Sequence, residues 1–407
     1  MRVLIAGGGI AGTVCAIALR EAGITADVYE AFGHDADGVG AFLMLGVNGL
    51  DALRVVGVDV AKLGGFDTPR MTLYLGNGHR LAEFHNGPRR ADGLVARTIR
   101  RAELYAGLRD EAARRGVRVH YGKRLVDADG SDSRGVVARF ADGSHAAGDV
   151  LVGADGLHSK LRGIIDPRAP RARYIGLLNT GGYADGIRVP GAIGTTHMFF
   201  GKRCFFAYIL HPSGQVLWFA NPVRAKEPTR EELSAITPQK WRAELYKLFG
   251  DDQTPACDII RATKNILPIW GTYDFPHVPI WHRERMVIIG DAAHAASPSS
   301  GQGASMAIED AVVLARSLRD GASVEESFAS YESLRRERVE RVVAQGKKNG
   351  TGKTPGLLGR WARDLALRVI FSRQRGANYD PMQWIFNHHI VWDRRARIVA
   401  PGHRPMP

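Results

Sequence analysis

The first thirty residues restrict the fold more than any other stretch. Arg2–Ala6 (RVLIA) is a short apolar run, Gly7–Gly12 reads GGGIAG, and Ile10–Ala22 sets Ile10, Val14, Ile17 and Ala18 on one helical face. A second run, Ala26–Tyr29, ends at Glu30. Strand, glycine turn, helix, strand and acid in that order form a βαβ unit, which requires a parallel sheet. Gly7-x-Gly9-x-x-Gly12 fits the dinucleotide fingerprint. The first glycine permits the tight turn, the second lets the backbone approach a pyrophosphate, and the third lets helix pack on strand. Ile10 and Ala11 then begin a helix whose N-terminus faces the anion. Glu30 sits where an acid accepts hydrogen bonds from a ribose.

Composition narrows the rest. The 407 residues are 45% hydrophobic and 24% charged, which excludes a mainly disordered chain, a collagen and a coiled-coil rod. Cys15, Cys204 and Cys257 are odd in number and far apart, so neither a disulfide scaffold nor a zinc site is expected, and a reducing, cytoplasmic setting is. No apolar run of about 18 residues predicts a membrane span. Arg2 and Ala16-Ile17-Ala18 imitate a signal peptide, but cleavage there would destroy the fingerprint. The net charge of +13 suggests nucleic acid, an anionic membrane surface or anionic ligands. Residues 335–407 hold 16 Lys and Arg against 5 Asp and Glu, so nearly all the excess lies there. Nucleic-acid binding by the body is therefore not expected. This terminal arm contains a candidate helix with Leu358, Trp361, Leu365 and Val369 on one face. It is expected to pack on the body, with membrane-surface contact as the alternative.

Further along, Arg97–Arg114 reads as a helix and Val117–Tyr121 as a strand. Val136–Phe140 and Asp149–Val152 read as strands around a turn at Asp142-Gly143, forming a hairpin. Residues 171–261 carry short aromatic-rich runs, including Met198–Phe200, Phe205–Leu210 and Val216–Ala220, which suggest an antiparallel sheet. Met286–Ile289 is a buried strand and a helix follows from about Gly303 to Leu318. Gly346–Gly359 reads as a linker or loop.

Two later segments are GDVLVGADGLHSKLR (Gly148–Arg162) and MVIIGDAAHAASPSSGQGASMAIEDA (Met286–Ala311). With the fingerprint, they make the chain resemble the FAD-dependent aromatic hydroxylases, single-component flavin monooxygenases of the p-hydroxybenzoate hydroxylase fold. The resemblance covers about residues 1–56, 94–165 and 262–320. It implies an α/β fold: a Rossmann-like FAD-binding domain (1–70, 95–170 and 262–345), an inserted antiparallel β-sheet substrate domain (71–94 and 171–261), and a C-terminal basic helical segment (346–407). It also implies roles. Glu30 binds the adenosine ribose. Asp155-Gly156 is similar to the DG motif near FAD and NAD(P)H. Gly290-Asp291 resembles the GD motif at the ribityl chain. Arg101 matches an FAD-contacting arginine. Pro298, Gly301, Gln302, Gly303 and Ala304 match the loop beside the flavin ring, and Asn48 an asparagine near it. The sequence departs from the family pattern at Ala31, where many relatives have arginine, at Ser305, where many have asparagine, and at Val47, where proline is usual.

The implied reaction has NAD(P)H reduce FAD and O2 add at C4a. The resulting hydroperoxide delivers one oxygen atom to an aromatic or polycyclic small molecule. Epoxidation or Baeyer–Villiger oxygenation would use the same apparatus. A halogenase would need Trp-x-Trp-x-Ile-Pro, which is absent. A non-catalytic flavin-binding or membrane-docking module is the reading from another class. No catalytic base is identified. Gly352-Lys353-Thr354 imitates a P-loop, but position 347 is lysine where glycine is needed. His388-His389 is expected to be a packed or surface pair rather than a metal pair, because adjacent helical residues diverge. His294 is expected to order its loop. The aromatic residues between 199 and 219 are mostly core, with one sheet face left to line a pocket.

Overall fold

In a computed structural model, residues 1–33, 41–88, 90–132, 134–351, 357–373 and 382–393 are described. Val3–Ala6 is buried throughout, as a strand covered on both faces must be. It lies inside a six-stranded sheet ordered His282–Arg283, Met286–Ile288, Val150–Gly153, Arg2–Ala6, Thr25–Tyr29 and Arg118–His120. All neighbours are parallel except the terminal pair. The helix Ile10–Glu21 crosses between the first two strands and packs on the helix Gly303–Asp320. The sequence-based βαβ unit and the later buried strand thus meet in one sheet, as an α/β fold requires.

The aromatic-rich region forms a second sheet. Its strands run Thr263–Ile266, Arg173–Ala184, Val216–Asn221, Phe205–Leu210, Thr195–Phe200, Arg70–Leu75 and Arg80–His85. Trp270–Asp274 also pairs with Arg173–Ala184. The pairing is antiparallel, as expected, except between Thr195–Phe200 and Arg70–Leu75. Because Thr263–Ile266 and Trp270–Asp274 pair here, the sheet region continues to 274 rather than ending at 261. One face packs Phe206, Tyr208 and Trp218 against the helices Pro238–Phe249 and Ala256–Ala262. The other turns Ile209, Leu217 and Phe219 toward Phe42 and Phe66, which stand on a small antiparallel sheet of Phe42–Leu45, Arg97–Arg100 and Phe66–Asp67.

Four local expectations change. Arg97–Arg100 is a strand, because it pairs with Phe42–Leu45 before the helix Arg101–Arg114 begins. The hairpin partner of Val136–Phe140 is His145–Gly148, and the next strand, Val150–Gly153, leaves for the parallel sheet. The stretch from Gly346 starts inside a helix, because Val324–Thr351 runs on into it. Glycine suits position 346 because a Cβ there would lie 3.0 Å from the Ser300 Cβ. The helix Leu357–Arg373 packs Leu367 and Phe371 on the second sheet, while Leu365 and Val369 are exposed, so the apolar face expected inward is turned outward. The side chains of Leu358 and Trp361 and residues 352–356 lie outside the described residues, and with them the P-loop imitation.

Candidate active site

The fingerprint turn is shaped by contacts that only glycine satisfies. Gly7 has φ +104°, and its N–H donates to the Tyr29 carbonyl at 2.8 Å. A Cβ on Gly12 would collide with the Gly7 carbonyl oxygen, whereas a Cβ on Gly9 would meet nothing within 4 Å. Gly9 caps Ile10–Glu21 without a side-chain hydrogen bond. The first-turn N–H groups, including those of Ile10 and Ala11, are therefore left without a cap from the N-cap residue at the positive end of the helix. Glu30 ends the neighbouring strand and folds back. Its Oε2 accepts from Gly8 N–H at 2.6 Å and its Oε1 from Phe32 N–H at 2.9 Å.

Asp155 follows Val150–Gly153, and its backbone adjoins Gly7. Its carboxylate caps the helix Lys160–Ile165, accepting from Ser159 Oγ at 2.5 Å and from the N–H groups of Lys160 and Leu161. Gly156 has φ +76° and open space beside it. Across the sheet, a Cβ on Gly290 would lie 3.1 Å from Ala11 Cβ and 3.2 Å from Ala307 Cβ. The Gly290-Asp291 turn is therefore wedged between the fingerprint helix and Gly303–Asp320. Asp291 reaches solvent but is crowded by protein. Desolvation pushes its carboxyl above the usual range, against the opposing pull of His294 and Arg101. Arg101 stands at the start of Arg101–Arg114, near enough for its charge to oppose that rise.

The loop Pro298–Ser300 ends at left-handed Gly301 (φ +63°) and leads through Gln302 into Gly303–Asp320. Gly303 faces open space and Ala304 is half-buried. Asn48 joins this loop from the helix Val47–Val55: its Nδ2 donates to Gln302 Oε1 at 3.1 Å and to Glu309 Oε1 at 2.7 Å. Among the described residues, Asn48 Oδ1 and Gln302 Nε2 are buried without a hydrogen-bond partner. Ser305, at the position of the usual asparagine, accepts from Gly46 N–H at 3.2 Å and packs against Gly49.

A buried ion network behind this loop was not expected from the sequence. Arg335 is fully buried and donates to Glu309 at 2.5 Å and Asp310 at 2.7 Å. Arg338 binds both oxygens of Glu309 at 2.8 Å. Burial alone would raise the Glu309 carboxyl, but Arg335 and Arg338 outweigh it and hold the group at about 2. Asp310 also accepts from Gly290 N–H and lies 2.5 Å from His294 Nε2, so His294 does order the loop. The signal was present: two adjacent acids in MAIEDAVVLA demand buried partners, and Arg335 and Arg338 share a helix face at i, i+3. Part of the C-terminal positive charge is thus internal.

His388 and His389 point to different partners. His389 Nδ1 is 2.6 Å from Asp51, and His388 Nε2 is 3.8 Å from Glu309. Among the described residues, no group of side chains is arranged to hold a metal ion, and no helix is long and apolar enough to cross a membrane. Facing the ring loop, Met44 lies near Gly301, and Phe42 meets Tyr183 and Phe219 edge-on at 6.3 and 6.1 Å. Arg100 lies over the Tyr183 ring and donates to Gln215.

A fingerprint turn, an acid at the neighbouring strand end and a helix start without a side-chain cap define a dinucleotide-binding protein. The open space at Gly9, Gly156 and Gly303 and the unpartnered amide atoms fit FAD. The model for the family described as FAD binding domain matches residues 1–346. The chain is 31% identical over 382 residues to a FAD-dependent urate hydroxylase of Klebsiella pneumoniae, covering 90% of this chain and 94% of that one. It is 33% identical over 384 residues to the aurachin C monooxygenase/isomerase of Stigmatella aurantiaca, covering 91% and 95%. The structure of Klebsiella pneumoniae HpxO complexed with FAD and uric acid matches with a TM-score of 0.77 at 26% identity, over 95% of each chain. The chain belongs to the FAD binding domain family and, within it, to the FAD-dependent aromatic hydroxylases.

Proposed function

We propose that this chain is a monooxygenase that uses NAD(P)H and O2 to hydroxylate an aromatic or polycyclic small molecule. Its residues divide the work of holding FAD. The N–H groups around Gly7, Gly9, Ile10, Ala11 and Gly12 receive the pyrophosphate, and Glu30 the adenosine ribose. Arg101, Gly290 and Asp291 hold the middle of the cofactor. Asn48, Pro298, Gly301, Gln302, Gly303 and Ala304 surround the ring. Asp155 contributes through position, since its carboxylate is committed to a helix cap beside Gly7, and Gly156 leaves room there. FAD, held by these residues, would supply the redox chemistry by which NAD(P)H and O2 give the substrate one oxygen atom and release the other as water.

The protein supplies position, charge and dryness. The helix start at Gly303 offers free N–H groups to negative charge on a reduced ring. Phe42, Met44 and Phe219 present an apolar surface to a flat substrate and exclude water. Burial raises the Tyr183 hydroxyl above its usual range, so at neutral pH it donates a hydrogen bond rather than accepting a proton as a base.

The observation that supports this reading is the packing of the Gly290-Asp291 turn against Ala11 of the glycine-turn helix and Ala307 of the helix that follows the ring loop. Purified protein is expected to be yellow, to release FAD on denaturation, and to oxidise NAD(P)H faster with an aromatic substrate, giving a product one oxygen atom heavier by mass spectrometry. A colourless protein unable to take up FAD sinks the reading.

A further inference from the structure

The stretch matched by the family model ends at residue 346, yet a later segment packs against the start of the Asn48 helix. Ile385, Phe386 and Ile390 are buried against the body. A Cβ on Gly46, two residues before Asn48, would lie 3.2 Å from the Phe386 ring; one on Gly87, beyond the strand Arg80–His85, would lie 2.9 Å from it. Phe386 therefore bridges the Asn48 helix and the second sheet. Arg338 is shared: the guanidinium that grips Glu309 also donates to the carbonyls of Trp384 at 3.0 Å and Ile385 at 2.7 Å. His388 closes over Glu309, and His389 and Arg90 both hold Asp51 on the Asn48 helix. Arg316 and Arg319 fix the carbonyls of Val391 and Trp392.

These contacts have a directional consequence. Glu309 is a carboxylate and can only accept, so Asn48 must turn its Nδ2 toward it. The same Nδ2 meets Gln302 Oε1, so the Gln302 amide must turn its Nε2 donor the other way, where it is buried and unpaired. One orientation thus passes from the terminal segment through Arg338, Glu309 and Asn48 to a free donor in the ring loop.

We propose that residues 382–393 are a positioning element of the flavin site, which by clamping Arg338 and covering Glu309 fix the Asn48 and Gln302 amides in the orientation that receives the flavin ring. The proposal rests on the FAD-dependent reading above. Arg338 and Phe386 are positioning residues.

The test uses the full chain loaded with FAD and reads the dissociation constant, the visible spectrum and the reduction potential of the bound flavin. Arg338→Gln, which removes the guanidinium that binds both oxygens of Glu309, is expected to weaken FAD binding about tenfold and to shift the spectrum and potential. Arg338→Lys restores part of both. Phe386→Ala, which leaves every ion pair intact, shifts the same quantities in the same direction and decides the matter if Arg338→Gln does not fold. Wild-type affinity, spectrum and potential in folded Phe386→Ala overturn the proposal alone. A wild-type protein that takes up no FAD overturns the functional reading first, and this one with it.

Discussion

The two ends of the proposed FAD site are made of different materials. At the glycine-turn end the backbone provides nearly everything: Gly7, Gly9 and Gly12 set the path, and the acid Glu30 is tied to Gly8 four residues before the third glycine. At the ring-loop end the backbone is held by side chains that never reach the surface. Glu309, Asp310 and Arg335 are fully buried and come from two helices that meet only in the folded protein. A site for the invariant part of a cofactor can be built from one local turn. A site that must hold a reactive ring still is built here from long-range charge pairing, which is costly when incomplete.

That contrast can be broken at either end. Arg335→Ala should have the largest effect. It leaves Glu309 and Asp310 buried with one guanidinium fewer, and about 3–5 kcal/mol of stability should be lost in urea unfolding. A midpoint close to wild type would mean that the network is ornamental. Gly12→Ala, at the other end, drives a methyl into the Gly7 carbonyl oxygen. It should cost about 1–3 kcal/mol of stability and at least most of the retained FAD after ultrafiltration. Glu30→Ala should weaken FAD binding by roughly tenfold while moving the unfolding midpoint less than Arg335→Ala does. Unchanged retention would remove Glu30 from the site.

Acid should separate the ends with the smallest effect. Glu309 is held at about 2, below its ordinary value of 4.5, so its contribution is complete above pH 4.5 and fades as pH falls toward 2. Burial pushes His388 down to about 4 against the pull of Glu309, so the folded chain keeps it neutral. Below pH 6.5 the unfolded chain binds a proton there that the folded chain refuses, and stability falls between pH 6.5 and 4. His388→Asn should flatten that upper window in stability measured against pH. A slope identical to wild type would show that burial does not hold the imidazole neutral.

Legibility in the sequence follows the same division. Gly7–Gly12, Glu30, Gly290-Asp291 and the helix from Gly303 were readable because a few adjacent residues determine their geometry. The antiparallel sheet of 171–261 was readable from its short aromatic runs. What escaped was set by partners far along the chain. Arg97–Arg100 reads as helix until Phe42–Leu45 pairs with it. Gly346 reads as a loop until Ser300 is seen beneath it. Arg335 and Arg338 read only as part of the excess charge of residues 335–407 until Glu309 and Asp310 are found facing them. Asp155 was legible as a strand-end acid, but its capping of Lys160–Ile165 required the Ser159 turn to be built.

Gly346 has one more consequence. The helix Val324–Thr351 lies across the ring loop like a bar: Gly346 touches Ser300, and Asn349 Nδ2 donates to the Ser299 carbonyl at 3.2 Å. Loop and bar have no slack between them, so the size of the side chain at 346 sets how far Pro298–Ser300 can retreat. A hydrogen atom there is the lowest setting of a mechanical stop. Each added methyl group raises the stop from behind the loop, making position 346 a dial for Pro298–Ser300 that no ligand needs to touch.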